Sequence, residues 1–339
     1  VIVVSSSFGA GITIVVNKGD FGSVEEAAFG EKQVDFWDDD LSDDRACSES
    51  FAAVELKKFL AEVTDVDKSE IVLSSETGSL PDGDVFVLGS RESNGLVKKL
   101  NSGKEFDLKN DDSFNVRSYK DGGRIVTVIE GKDRMGVVYG VYEYLNRLGV
   151  TFFGLGEQGT VYPEGKVKLI EGLDVTENGD YITRGFWIPR KLWYVPDFYK
   201  WMVRNRMNMW TMKNENVHLL KKYGIRLTIG GHLNQQEFIH ANHKYPYDHP
   251  KFKGDEDKPA DPYEVSDQYM GDENDDGKLT YFEAHPEWYA LIDGERSNNF
   301  AWNGHNFCTS DPEAAKEFAK NMVEALVSGD WQHADIVSF

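Results

Sequence analysis

Met207-Asn-Met-Trp-Thr211 is one of three short apolar segments that alternate with helical stretches in the second half of the chain. The other two are Ile182-Thr-Arg-Gly-Phe186 and Arg226-Leu-Thr-Ile229, and residues 197–206 and 217–223 between them have helical patterns. Regular alternation of strands and helices is typical of β/α units with parallel strands. The sequence therefore predicts at least two successive β/α units in this region.

The chain continues this rhythm after a long insertion at about 233–309. Ser310-Asp311-Pro312-Glu313 combines a cap, a first-turn proline and a first-turn acid, which predicts the start of a helix. Residues 335–339 have the pattern of a fourth strand. A closed (β/α)8 barrel needs ~250 residues, more than follow Asp180. We therefore expect residues 180–339 to hold the first half of a TIM barrel.

The first 175 residues have a different α/β pattern. Two helices, about 50–63 and 134–148, each carry one apolar stripe, and Gly149 provides a left-handed stop after the second. Short β-type segments surround them: Gly11–Val16, Asp84–Gly89, Phe114–Tyr119 and Arg124–Glu130. Helices with one buried face predict a two-layer α/β domain over residues 1–175, separated from the barrel by the polar stretch 171–180.

Composition excludes several classes of protein. The chain has 58 Asp and Glu against 37 Lys and Arg, a net charge of −21, so a nucleic-acid partner is not expected. No window reaches the ~18 apolar residues that predict a transmembrane segment. Cys47 and Cys308 are the only cysteines, which excludes a disulfide framework and a cysteine-rich zinc site. One disulfide between these two residues stays open.

The insertion contains a complete EF-hand-like loop pattern from residue 272 to residue 283. Calcium needs six to eight oxygen ligands at fixed positions of such a loop, and Gly277 occupies the position of the sharp turn. The alternative is an acidic loop without a metal. Because a lone loop between short helices cannot reorient a helix pair, we expect a structural Ca2+ site and not a sensor. The predicted ligands are Asp272, Asn274, Asp276, Lys278 through its carbonyl, Thr280 and Glu283.

Candidate substrate-binding residues follow the predicted barrel strands, because ligands of β/α barrels bind at the carboxyl ends of the strands. Aromatic rings that stack on sugars and planar polar groups that bind hydroxyls suit a carbohydrate ligand. Ordinary packing is the alternative for the tryptophans. The candidates are Arg184, Trp187, Asn208, Trp210 and His232.

Four stretches resemble a known group of proteins. They are 51–60, 133–153, 184–210 and 285–312, with Asp133-Arg-Met-Gly-Val-Val-Tyr-Gly-Val-Tyr-Glu-Tyr-Leu145 and Arg184-Gly-Phe-Trp187 as examples. Together they are similar to bacterial glycoside hydrolases with an N-terminal α/β accessory domain and a TIM barrel, such as family 67 α-glucuronidases and family 20 hexosaminidases, and most of all to their uncharacterised relatives. The resemblance implies that Arg184 and His232 bind sugar hydroxyls. It does not extend to the calcium loop.

The resemblance also implies a secreted, periplasmic or cell-surface protein of a polysaccharide-degrading system. The catalytic carboxylates of similar enzymes come from the fourth and later strands, so we expect this chain to lack them; Glu215 and Glu237 are the nearest alternatives. The calcium loop is expected to order one wall of a cleft with Arg184 and His232 in its floor. The alternative function is a non-catalytic, calcium-stabilised carbohydrate-binding or cell-surface protein.

Overall fold

The computed structural model describes residues 11–75, 78–186, 195–211, 216–231, 238–245, 266–271, 279–299, 306–328 and 331–338. They form a mixed α/β structure in two compact units, Val1–Leu227 and Thr228–Phe339. The helices are α1 (Val24–Ala28), α2 (Leu41–Val63), α3 (Gly95–Leu100), α4 (Arg134–Arg147), α5 (Val195–Arg204), α6 (Val217–Lys222), α7 (Tyr281–Ala284) and α8 (Pro312–Ser328). The strands are β1 (Ile12–Val15), β2 (Ile71–Ser74), β3 (Asp84–Gly89), β4 (Phe114–Asp121), β5 (Arg124–Gly131), β6 (Thr151–Phe152), β7 (Thr160–Val161), β8 (Asp174–Glu177), β9 (Met209–Thr211), β10 (Arg226–Gly230), β11 (Leu291–Ile292), β12 (Glu295–Arg296) and β13 (Ile336–Ser338).

The centre of the first unit is a six-stranded sheet with the order β2-β1-β3-β5-β4-β8. The strands β2, β1, β3 and β5 are parallel, and β4 and β8 extend the sheet in antiparallel pairing. Side chains alternate across the sheet. Val85 and Val87 on β3 pack with Leu96 and Val97 of α3, while Phe86 between them contacts Tyr144 of α4 at 5.1 Å between ring centroids.

Helices therefore cover both faces of this sheet, whereas the sequence predicted two layers. The layer that the sequence did not predict contains α3, a helix of only six residues. Asn94 caps this helix by accepting a hydrogen bond from the Leu96 N–H. Six residues are too few to show a helical apolar stripe, so this helix had no signal in the sequence. The α/β character of the unit, in contrast, is confirmed, and the structure shows that its central sheet is mostly parallel.

The two predicted helices of this unit are confirmed. The α4 helix covers Arg134–Arg147, and Gly149, with φ +94°, ends it as expected. The α2 helix begins at Leu41, nine residues before the predicted start. Asp40 caps it by accepting a hydrogen bond from the Ser42 N–H at 3.0 Å. The sequence did not predict this first part because it is a polar run without an apolar stripe, and several of its polar residues are buried.

A small sheet has the strand order β13-β10-β9. The division of the chain into two units, after Leu227, falls within β10. On its first-unit side, Gly185 forms a parallel bridge with Met209, and the Arg226 N–H donates to the Asn208 carbonyl at 2.8 Å. On its second-unit side, β10 pairs in parallel with β13. These segments are the predicted barrel strands, although the segment 182–186 contributes only a bridge. No closed barrel forms within the described ranges.

The predicted domain boundary at 175–180 differs from the division of the compact units at Leu227. Helices after residue 180 pack on the first unit: Arg204 of α5 pairs with Glu55 of α2 at 2.8 Å, and Lys222 of α6 pairs with Glu31 at 2.7 Å. Both ion pairs join long side chains that are distant in sequence. Such pairing has no periodic signature, which is why the sequence did not predict it.

The second unit has its own aromatic core. Residues of 238–245, of α7 and of the turn at Pro286–Trp288 bury their side chains together, with Ala314 of α8. The core residues are Ile239, Ala241, Tyr245, Leu279, Tyr281, Phe282, Ala284, Trp288, Tyr289 and Ala314. In both units, none of the helices that the structure describes is long and apolar enough to cross a bilayer.

Candidate functional site

Asn208 connects the neighbouring chain segments in the candidate substrate region of the first unit. Its Oδ1 accepts from the Arg184 N–H at 2.7 Å, and its Nδ2 donates to the Ile182 carbonyl at 2.9 Å. Its own N–H donates to the Arg184 carbonyl at 2.7 Å. The structure thus brings Arg184 and Asn208 together, and every polar group of the buried Asn208 side chain has a protein partner.

The Arg184 guanidinium is also held by protein acceptors. Nε donates to the Arg206 carbonyl at 2.8 Å, one terminal nitrogen donates to the Tyr181 carbonyl, and the other pairs with Asp112. Its carbon lies 5.9 Å from the centre of the Tyr139 ring, whose hydroxyl pKa is raised by burial. An arginine fixed on so many sides has a defined structural role here. Its role in sugar binding stays a prediction.

The position of this pair differs from the expectation that placed it after the strands. Asn208 comes immediately before β9, and Arg184 precedes Gly185, the residue that bridges the first residue of β9. Both lie at the amino end of the short parallel segments. The reason is the turn at Arg206, which has a left-handed φ of +58° and delays the start of β9 to Met209.

Arg206 belongs to the same charged network, and the sequence analysis did not select it. Its two terminal nitrogens pair with Glu177 at 2.6 Å and with Glu143. Together with Arg184 and Asp112, these side chains alternate positive and negative charge around the turn. Only the Arg204-Asn-Arg206 sequence gave a hint of such a cluster.

Trp210 is 4% exposed and packs against α5. Its ring lies 5.1 Å from Phe198 and 5.8 Å from Tyr199 between centroids. This placement agrees with the packing alternative that the sequence left open. A sugar could stack on Trp210 only if one of these rings moved.

Thr280 and Glu283, the last two predicted calcium ligands, form a capping box at the start of α7. The Thr280 N–H and its hydroxyl each donate to Glu283 Oε2 at 2.8 Å, and the Glu283 N–H donates back to Thr280 Oγ1 at 3.3 Å. Their oxygens therefore lie side by side at the end of the loop 272–283. Hard oxygen donors of this type suit Ca2+. Among the described residues, no group of three or more His, Cys, Asp or Glu is placed so that it could hold a metal ion.

The remaining predicted site residues lie outside the described residues. They are Trp187, His232, Asp272, Asn274, Asp276 and Lys278. Glu215 and Glu237 lie outside them as well. Among the described residues, Cys47 and Cys308 are both free, so the disulfide that the sequence left open is not formed. Burial raises the pKa of the Cys47 thiol to about 12, which makes it unreactive at neutral pH.

A buried polar cluster around Glu49 had no signal in the sequence. It lies beyond the carboxyl ends of β1 and β3, where Ser93 Oγ donates to Glu49 Oε1 at 2.8 Å and Asn17 Nδ2 donates to the Ser93 carbonyl at 2.9 Å. Glu49 Oε2 is buried and has no hydrogen-bond partner among the described residues. Burial raises the pKa of Glu49 to about 8, against the opposing effect of the Ser93 hydrogen bond.

Comparisons with known proteins give structural likenesses only. No protein-family profile matches the chain, and no curated protein matches it. Among solved structures, a family GH115 4-O-methyl-α-glucuronidase, BtGH115A, with specificity for decorated arabinogalactans is similar at 12% identity and a TM-score of 0.47, covering 96% of this chain and 41% of that one. CpGH84D is similar at 15% identity and a TM-score of 0.38, covering 66% and 34% of the two chains.

A GH138 enzyme targeting pectin rhamnogalacturonan II is similar at 15% identity and a TM-score of 0.30, covering 65% of this chain and 31% of that one. The chain thus spans less than half the length of each of these three structures. None of the three is described as a member of family 67 or family 20, the families of the sequence resemblance. At these identities and TM-scores the likeness carries no conclusion about substrate or chemistry.

Proposed function

We propose that this chain belongs to a glycoside hydrolase-like protein that acts on or binds complex polysaccharide and contains a structural calcium site. The observation that carries the proposal is the small sheet: Gly185 bridges β9 in parallel, β9 is the neighbour of β10, and β10 pairs in parallel with β13, with helices between these segments along the chain. Such a succession fits the first half of a (β/α)8 barrel. The insertion follows the carboxyl end of β10 in the sequence. Barrel enzymes bind their ligands at the carboxyl ends of their strands.

The calcium site is the second part of the proposal. Thr280 and Glu283 would supply two oxygens from the first turn of α7, and Asp272, Asn274, Asp276 and the Lys278 carbonyl would supply the others. The oxygens of Thr280 and Glu283 are adjacent, as a shared cation requires. Ca2+ would neutralise part of the negative charge of the loop and fix its two ends. The site would stabilise the insertion and would take no part in chemistry.

The proposed reaction is hydrolysis of O-glycosyl bonds by two carboxylates around an oxocarbenium-like transition state. The second candidate is a non-catalytic, calcium-stabilised carbohydrate-binding or cell-surface protein. It is favoured by the internal partners of Arg184, Asn208 and Trp210, because residues engaged in this way form a scaffold more readily than a catalytic centre. Both candidates need a secreted, periplasmic or cell-surface location, where polysaccharide and millimolar calcium occur together.

A binding and turnover screen of the 339-residue chain tests the proposal. Maltotriose, cellotriose, xylotriose and trigalacturonic acid would be titrated in calcium-containing buffer, and the corresponding nitrophenyl glycosides would be assayed for release of nitrophenol. We expect binding of at least one oligosaccharide without turnover. Turnover would contradict the expected absence of the catalytic carboxylates, and failure to bind any of the four would contradict the carbohydrate assignment.

A further inference from the structure

A cavity of about 490 Å3 lies on the second unit, on the face formed by α7 and the β11–β12 hairpin. Phe282 and Pro286, both buried, form its base. Exposed polar side chains, Gln268, Glu295 and Asn298, stand around it together with Arg296. This volume is within the range of ~300–1,000 Å3 that small-molecule sites have.

The polar wall of the cavity has a defined conformation. Asp293 and Gly294, with φ values of +53° and +91°, make the tight two-residue turn between β11 and β12. Arg296 is anchored because one of its terminal nitrogens donates to the Tyr289 carbonyl at 2.8 Å. The Ser297 N–H donates to the Ala290 carbonyl at 3.0 Å and fixes the chain before Asn298. The wall is thus attached to the aromatic core of the unit at two points.

The chemistry of the lining selects a hydroxyl-rich ligand. The two amides, Gln268 and Asn298, are planar donors and acceptors, Arg296 donates, and Glu295 accepts. An apolar ligand would cover these polar side chains without offering them hydrogen bonds, which is unfavourable. An anionic ligand such as a phosphate would face the Glu295 carboxylate and a chain of charge −21. A pyranose ring satisfies both parts of the lining, with hydroxyls toward the amides and its apolar face toward Met270 and Pro286.

The cavity is also connected to both ends of the predicted calcium loop. The Met270 N–H donates to the Glu283 carbonyl at 3.1 Å, and the Ser266 N–H donates to the Ala284 carbonyl at 3.3 Å. These bonds join the segment before the loop to the helix after it. One wall residue, Met270, precedes the loop 272–283 by two positions, and one base residue, Phe282, is the last residue but one of that loop.

We propose that this cavity is a carbohydrate-binding subsite that receives one or two neutral sugar residues. The proposal rests on the carbohydrate function proposed above and names a site for it on the insertion. It differs from the barrel residues that the sequence selected, and none of the six predicted calcium ligands is among its lining residues.

Binding of the four oligosaccharides by single-residue variants tests the subsite. Gln268→Ala and Asn298→Ala each remove one exposed amide, and Asn299→Ala is the matched control, since Asn299 is an exposed amide next to the cavity that does not line it. We expect Gln268→Ala and Asn298→Ala to weaken the binding of the oligosaccharide that the unaltered chain binds by about five- to tenfold each, the loss of one neutral hydrogen bond. Asn299→Ala should bind as the unaltered chain does.

The possible failures are distinguishable. If the unaltered chain binds a sugar and both cavity variants retain its affinity, the subsite is wrong while the carbohydrate function stands. Equal weakening by Asn299→Ala would also reject the subsite, because the effect would not depend on the cavity. If the unaltered chain binds none of the four sugars, the proposed function fails and the subsite fails with it. Far-ultraviolet circular dichroism of each variant establishes that it is folded.

Discussion

Arg184, a predicted ligand-binding residue, makes its side-chain hydrogen bonds and its ion pair within the protein. Its side chain is 24% exposed and that of its partner Asp112 only 12%, so removing the guanidinium leaves a carboxylate that is mostly shielded from water. The same change removes donors from the carbonyls of Arg206 and Tyr181. A partly buried carboxylate without its partner is costlier than the loss of an exposed pair.

We therefore predict that Arg184→Ala lowers the free energy of unfolding of the first unit by about 2–3 kcal/mol. Arg184→Lys should cost less, because it keeps the charge and loses only the planar fork. The measurement is urea unfolding. Lys109→Ala is the control, since Lys109 and Asp107 form an exposed pair that contributes roughly 0–1 kcal/mol. An Arg184→Ala variant as stable as the control would show that these contacts do not stabilise the fold.

Because the pKa of Glu49 is raised in the folded protein, we predict that the free energy of unfolding depends on pH in a definite direction. Its pKa is raised to about 8 in the folded protein, from 4.5 for an ordinary glutamate. Between these two values the unfolded chain loses the proton while the folded chain keeps it, so the folded state binds more protons and its stability falls as pH rises. Below about pH 4 and above about pH 9 this contribution is constant.

Glu49→Gln should remove the effect. The amide cannot ionise and still accepts the hydrogen bond from Ser93. We predict that the variant gains stability relative to the unaltered chain as pH rises from 5 to 8, by at most about 1.4 kcal/mol per pH unit. Urea unfolding at several pH values measures it. Parallel stability curves for the two proteins over this range would show that Glu49 titrates normally in the folded state.

At the scale of single elements, the sequence predicted those that present one apolar face and missed those that do not. The α4 stripe and the β-type segments at β4 and β5 gave bounds close to the observed ones, because the pattern of apolar residues is the main signal of local structure. The first turns of α2 were missed because they bury Asp44, Ser48 and Glu49, which read as a polar run. Burial of paired or protonated acids depends on partners far along the chain, and periodicity carries no information about those.

The same limit applies to the candidate site. The sequence selected Arg184 and Asn208 together, and the structure brings them together, but it could not predict the amino-end position because that depends on the left-handed turn at Arg206. A positive φ at an arginine, unlike one at asparagine or aspartate, has no sequence signature. In contrast, the helix start at Thr280 has the sequence pattern of a capping box, from which the start of a helix can be predicted.

The capping box allows a calcium experiment that separates binding from helix stability. Glu283→Gln should keep the box, since glutamine is also suitable at that position, while it removes the charged bidentate ligand. We predict that this variant loses calcium binding by at least about tenfold in isothermal titration with its folding intact. Asp267→Asn, a neutralisation of an exposed acid near the loop, is the matched control and should bind calcium normally. Unchanged affinity in Glu283→Gln would reject the predicted ligand set.

At the scale of the whole molecule, the division into two units makes one further consequence of the calcium proposal measurable. All six predicted ligands belong to Thr228–Phe339, and none belongs to Val1–Leu227. A ligand that binds only the folded form stabilises by an amount that grows with its concentration, about 3 kcal/mol at a hundredfold excess over Kd. For a unit of this size, that gain corresponds to a shift of roughly 10 °C or more in its melting temperature.

We predict that calcium removal by EDTA lowers the melting transition of the second unit and leaves that of the first unchanged. Calorimetry measures the two transitions, and hydrogen exchange assigns them. The amides of Tyr245 and Met270 donate to the carbonyls of Leu279 and Glu283 at the end of the loop, so they should lose protection in EDTA. The amides that pair β3 with β5 in the first unit should not change. Asp272→Asn should behave in calcium as the unaltered chain does in EDTA. Equal shifts of both transitions, or a shift of the first alone, would mean that calcium acts somewhere other than the loop 272–283.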